Sequence, residues 1–236
     1  MRTLTETLEA AQQKGFIKAL VKVVLTHGAT THTYDKSRIL KVDETEDGEL
    51  QSAEVTLNNA DGSLTDLNFK GYDAVLSFGA ITSLGEEYSA CPPMKVASQQ
   101  LGSDPDSLTC LLTLAGAFKL MMEDHASASY LPESDDTKTV KQLIREIVGD
   151  TGVTMLACFN HCQKYDVVFD SEDSLIGTYV PADSFRIYVN GDRKAALDRL
   201  LGYTKCVMLM KADGDLHVCQ PTVSGSVYDY EYSLSG

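Results

Sequence analysis

Arg38-Ile-Leu-Lys-Val-Asp43 and Leu50-Gln-Ser-Ala-Glu-Val-Thr-Leu57 flank the turn Glu46-Asp-Gly-Glu49. Asp-Gly between two β-type runs accepts the positive φ angles of a tight hairpin, so the segment predicts two antiparallel strands. Asn58-Asn-Ala-Asp-Gly62 marks the next corner, and Tyr72–Phe78 predicts a strand with Ala74, Leu76 and Phe78 on one face. Met94–Leu101 and Leu108–Leu114 form a further pair around Gly102-Ser-Asp-Pro-Asp106. Upstream, Thr3–Lys14 reads as a short helix stopped by Gly15, with Leu4, Leu8 and Ala11 at helical spacing. Phe16–Thr26 follows as a Val-rich strand. About six strands at short spacing in the first 115 residues predict a barrel or a sandwich.

The pattern then changes. Gly116–Met122 reads as a helical turn, and Tyr130–Asp136 as a polar loop. Thr137–Val148 predicts a helix with Val140, Leu143, Ile144 and Ile147 on one face and Gly149 closing it. Arg193–Leu201 predicts another, capped by Asp192 and stopped by Gly202. Lys205–Met210 and Leu216–Gln220 flank Asp213-Gly214 as a hairpin, and Ser226–Leu234 alternates like a last strand. The expected organisation is an N-terminal arm and β-barrel over 1–125 and a small α+β domain over 126–222. Residues 223–236 then read as a strand returning to that barrel or beginning a second.

In 236 residues, 20 Lys and Arg face 34 Asp and Glu, a formal net charge of −14. Phosphate contacts need cationic surface, so a protein that wraps nucleic acid is disfavoured. Residues 1–41 hold seven basic and three acidic side chains, whereas the remainder holds 13 and 31. A basic arm of this kind suits an acidic neighbour, a second copy of the chain included; an ordinary solvated surface is the alternative. No apolar run reaches the roughly 18–20 residues that span a bilayer, and Met1-Arg-Thr-Leu-Thr-Glu6 is too polar for a signal peptide. Six cysteines, at 91, 110, 158, 162, 206 and 219, make no small-domain disulfide framework, so reduced thiols in a cytoplasm are expected.

Phosphate-binding Gly-rich loops, a Gly-x-Ser-x-Gly elbow and a His-Glu-x-x-His helix are all missing. Cys158-Phe-Asn-His161-Cys162 offers three ligands that suit zinc, with Cys206 and Cys219 as a conceivable completion. The same residues suit a Cys–His nucleophilic pair, although neighbours on a strand point to opposite faces. Buried free thiols are the simpler reading. His27 and His32 fall in a Thr- and Gly-rich stretch that reads as a polar loop, and Glu86/Glu87 and Asp135/Asp136 read as solvated loop acids.

Several segments together resemble phage tail-tip and baseplate hub proteins. Glu54-Val-Thr-Leu-Asn-Asn-Ala-Asp-Gly62, with Leu67-Asn-Phe69, is similar to the strand and Leu-x-Asn-x-Asp-Gly corner near their start. Gly71-Tyr-Asp-Ala-Val-Leu-Ser-Phe-Gly79 and Pro93-Met-Lys-Val-Ala-Ser98 are similar to their outer barrel strands. Thr139-Val-Lys-Gln-Leu-Ile-Arg-Glu-Ile147 resembles a hub helix, and Arg186-Ile-Tyr-Val-Asn190 with Ala196-Leu-Asp-Arg-Leu-Leu-Gly-Tyr-Thr204 the elements after it.

The resemblance implies a mainly β fold with α+β character: a tail-tube-like β-barrel followed by a small α+β domain. It also implies a homo-oligomeric ring, trimeric by preference and hexameric as the alternative, in a virion tail made in the host cytoplasm. The partners would be the tail tube and other tail-tip proteins, with DNA passing through unbound, no cofactor, no metal, no membrane anchor and no catalysis. A distal-tail or adaptor ring is the nearest alternative; a zinc- or cysteine-dependent enzyme centred on Cys158, His161 and Cys162 is the alternative of another class. An acidic lumen repels DNA, so Asp43, Glu44, Glu46, Asp47 and Glu49 are the expected channel or rim residues. Lys14, Lys18 and Lys22 are the expected inter-subunit arm.

Overall fold

Runs in which apolar and polar residues alternate build the first sheet, each burying one face. The computed structural model describes residues 4–13, 18–47, 49–104, 107–182 and 184–221. Eight strands form this sheet: β1 (Ala19–His27), β2 (Thr30–Asp35), β3 (Ile39–Asp47), β4 (Leu50–Asn58), β5 (Asp73–Thr82), β6 (Gly85–Ala90), β7 (Met94–Asp104) and β8 (Ser107–Gly116). Their order is β2-β1-β5-β7-β8-β4-β3, with β6 also on β5. β5 meets β7 only at Asp73 and Ala74; beyond that point β6 takes the same edge, so the sheet divides into two leaves. Val23, Leu25, Val55, Leu57, Leu76 and Leu112 are fully buried in the core of this sheet.

The expected barrel does not close. β2 and β3 are consecutive, yet among the described residues β2 pairs with β1 alone and β3 with β4 alone. Asp35 folds the corner between them by accepting from Ser37 N and Oγ at 2.8 and 2.7 Å. Arg38 is drawn towards the loop after β4, where its guanidinium grips Asp61 through two contacts of 2.9 Å. Side chains, instead of a ladder, finish the core beside β2. Leu64 and Phe69 are buried, and the Phe69 ring meets His32, Tyr34 and Tyr72 edge-on at 5.2, 6.1 and 5.5 Å.

Two of the eight strands correct the sequence expectation of about six. His27 and His32 lie on the β1–β2 hairpin, turned at Gly28 (φ 57°), and Glu86 and Glu87 lie on β6. Neither pair is in a loop. Both added strands are polar runs paired along a single described edge, and Thr and Tyr favour the extended backbone there. Outside the sheet, α1 (Glu6–Gln12) is capped by Thr5 and sets Leu8 and Ala11 against Ala80.

β8 runs into α2 (Ala117–Glu123) without a loop. The second core then gathers α3 (Val140–Val148), α4 (Ser174–Thr178), α5 (Arg193–Leu201) and a three-stranded sheet. That sheet comprises β9 (Val167–Phe169), β10 (Val207–Met210) and β11 (Leu216–Cys219), in the order β10-β11-β9. α3 starts later than Thr137 because Thr139 and Gln142 form a capping box, and it ends at Gly149 in the left-handed region. Arg193 is wholly buried at the foot of α3, where it donates to Ile147 O, Val148 O and Gln163 O. The mainly β, α+β class expected from the sequence is the class found. Lys14, Gly15 and the last strand expected over 226–234 lie outside the described residues.

Candidate functional site

The acidic run that drew attention in the sequence forms the β3–β4 hairpin, and strand geometry divides it between two faces. Val42 opposes the buried Val55, so Glu44 (opposite Ala53) and Glu46 (opposite Gln51) share the inward face. Asp43 opposes Glu54 and Asp47 opposes Leu50 on the outward face. Glu54 was not among the sequence candidates; the antiparallel register supplies it. Like charges placed opposite each other repel, and the Lys41–Asp43 ion pair offsets part of that cost.

Glu44 is engaged within the molecule, whereas Glu46 is exposed. Glu44 accepts from Gln51 Nε2 at 2.9 Å. Glu46 lines a small cleft with Phe118 and Met210, between the hairpin and the second core. Glu49 pairs with Lys194 Nζ at 2.6 Å, and that lysine, its side chain 12% exposed, also meets Asp198 and sets its ammonium over the Phe118 ring. Glu49 therefore fastens the hairpin to α5. Of the basic arm, Lys18 is exposed just before β1, and Lys22 on β1 places its ammonium 4.3 Å from the centre of the Tyr88 ring.

Cys158 is buried in a short 3-10 turn, His161 is exposed, and Cys162 is half-buried. Burial raises the Cys158 thiol, and burial with the nearby Asp124 carboxylate pushes Cys162 up to about 11. Such thiols stay protonated at neutral pH and make poor nucleophiles. Among the described residues, the one group placed to share a cation is Asp213, Asp215 and His217, so Cys158, His161 and Cys162 do not assemble as the sequence allowed. Val207 opposes Cys219 across β10 and β11, and Cys206 is buried beside it. Asp136 is an internal acceptor for Tyr130 Oη at 3.1 Å and Lys138 N at 3.0 Å. A cleft of about 300 Å³ opens where the two cores meet, lined by Lys95, Lys164, Tyr165, Asp166, Met210 and Asp215 among others.

Solved structures share this arrangement. A tail protein from Neisseria meningitidis superimposes with a TM-score of 0.51 at 14% identity, over 85% of this chain and 50% of that one. Over that span the chain shares the fold of this tail protein. A chain of the lidded Francisella PdpA-VgrG complex matches with a TM-score of 0.54 at 13% identity, over 92% of this chain and 30% of that one. The lidless PdpA-VgrG complex matches at 0.53 and 11% identity, over 88% and 36%. The chain thus spans half the length of the Neisseria protein and about a third of the PdpA-VgrG chains. No protein-family model and no curated protein matches it. Among the described residues, no helix is long and apolar enough to cross a membrane.

Proposed function

We propose that this chain is a structural component of a phage-type tail tip or baseplate hub. In this reading it is one subunit of a ring around the DNA channel, joins the tail tube to distal tail proteins in the virion, and catalyses no reaction. The observation that carries the reading is the likeness of this fold, an eight-stranded sheet leading through α2 into a small α+β unit, to that of the Neisseria tail protein. The raised thiols of Cys158 and Cys162 weigh against the enzymatic alternative.

The outward acids Asp43, Asp47 and Glu54 are the best candidates for a DNA-repelling wall, because fixed negative charge adds no salt-sensitive affinity for phosphate. Glu46, exposed at the hairpin, is a further rim candidate, and Glu44 and Glu49 support the wall from behind. Lys18 and Lys22 are the described remainder of the candidate inter-subunit arm. Electron-microscope class averages of the protein, and of particles carrying it, test the proposal. A threefold or sixfold ring with an open centre on the tail axis is expected, the order separating hub from adaptor. Particles in which the chain lies off that axis would overturn the conduit reading. Replacing Asp43, Asp47 and Glu54 by Asn, Asn and Gln should slow DNA delivery and leave assembly intact; failed assembly would make the patch an interface instead.

A further inference from the structure

The geometry points to a binding site for a divalent transition-metal ion of the zinc type at Asp213, Asp215 and His217. Asp213 and Asp215 lie in the β10–β11 turn and His217 on β11, and one ligand atom from each lies within 4.8 Å of the others. His217 is 6% exposed, with Nε2 2.9 Å from Asp213 Oδ2 and Nδ1 2.9 Å from Asp170 Oδ2. A neutral imidazole donates from only one of its nitrogens. With a carboxylate at each, one nitrogen turns its lone pair towards negative charge unless a positive species lies between them.

Asp170, outside the triad at the end of β9, faces the other ring nitrogen and is itself held by Lys211 Nζ at 2.6 Å. With Nδ1 donating to Asp170, the Nε2 lone pair is directed at Asp213. A carboxylate orienting a histidine from behind in this way is the arrangement that metal-bound imidazoles use. Asp213 Oδ1 is occupied by Asp215 N at 3.1 Å, so Oδ2 is the ligand atom on offer. Around a neutral imidazole, the carboxylates of Asp170, Asp213 and Asp215 against the Lys211 ammonium leave a local charge that a dication cancels. Gly214 and Asp215 also line the 300 Å³ cleft between the cores. One imidazole and two carboxylates suit zinc better than calcium or magnesium, which prefer oxygen alone.

Bound there, the ion ties the β10–β11 turn to β11, and Asp170 carries the tie on to β9. Metal ligands must be deprotonated, so affinity weakens as pH is lowered. The test is calorimetric titration of the whole chain with Zn²⁺ at about pH 7.5 and about pH 5.5, with Co²⁺ spectra alongside. One ion per chain at the higher pH, weaker binding at the lower, and a cobalt spectrum without thiolate charge transfer are expected. Asp215→Asn should weaken binding at least about tenfold. Its metal-free melting should not change, because Asp213 and Asp170 still hold His217. His217→Ala should abolish binding, and Asp215→Asn decides the question if that variant does not fold. Absence of stoichiometric binding, undiminished binding by Asp215→Asn, or a thiolate band tracing the metal to the six cysteines overturns the proposal.

Discussion

Arg193→Ala removes the most enclosed charged side chain of the second core. The guanidinium is 0% exposed and donates through Nε to Ile147 O at 3.0 Å, through Nη2 to Val148 O at 2.7 Å, and through Nη1 to Gln163 O at 2.7 Å. Nη1 also reaches Asp124 Oδ2 at 3.1 Å. Arg193 thereby completes the last turn of α3, whose final carbonyls have no donor within the helix, and places a cation at the negative end of its dipole. Truncation strands Ile147 O and Gln163 O, whereas Val148 O keeps Tyr165 N at 3.0 Å. A stranded buried acceptor costs about 1–3 kcal/mol. Breaking a buried ion pair from one side costs about 3–5 kcal/mol in total, so a loss of about 4 kcal/mol is expected. For a chain of this length that lowers Tm by roughly 8–16 °C. Urea unfolding followed by circular dichroism reads the change directly. Arg193→Lys keeps the charge, but one ammonium cannot span three carbonyls, so it should recover less than half of the loss. An Arg193→Ala variant within about 1 kcal/mol of the parent would refute this account of the core.

Phe69→Ala opens the side-chain closure beside β2 and should cost about 3–5 kcal/mol in the same assay; a loss below about 1 kcal/mol would mean that the closure is not structural. Arg38, followed by contacts from Ser63, holds the Asp61 carboxyl well below the usual range. A depressed carboxylate contributes stability that is present above about pH 4 and lost as pH falls through the folded value. Asp61→Asn should therefore shallow the acid limb of the stability curve, and an unchanged limb across urea midpoints from neutral to acid pH would count against the Arg38 grip. With its thiol near 11, Cys162 should alkylate at pH 8 about a hundredfold more slowly than an ordinary thiol. Peptide mass spectrometry measures that rate, and a fast Cys162 would revive the cysteine-dependent enzyme.

The β3–β4 hairpin and α5 were legible because their signals are local: Asp47-Gly48 between alternating runs, and Asp192 and Gly202 bracketing Arg193–Leu201. β2 and β6 were not, because Thr30-Thr-His-Thr-Tyr-Asp35 and Gly85-Glu-Glu-Tyr-Ser-Ala90 lack the apolar alternation that marks a strand. Failure of the barrel to close was equally hidden. It depends on Arg38 reaching Asp61 and on Phe69 reaching Tyr34, contacts that no window of neighbouring residues contains. The acid run was visible as composition, but only the register divides it into outward Asp43 and Asp47 and inward Glu44 and Glu46. For Asp213, Asp215 and His217 the strand-like spacing was a usable signal, whereas Asp170, 47 residues from His217, was beyond reach.

The passage from β8 into α2 has a mechanical consequence. Gly116 is paired with Met94 and sits so close to Gln51 that an added Cβ would lie 3.0 Å from its carbonyl oxygen. The peptide that leaves the sheet is therefore gripped from both flanks, with no slack before the first turn of α2. Glu49 and Lys194 add a second strut a short way off. A push on the β3–β4 hairpin therefore reaches the second core by two routes, through the Gly116 junction and through the Glu49–Lys194 pair.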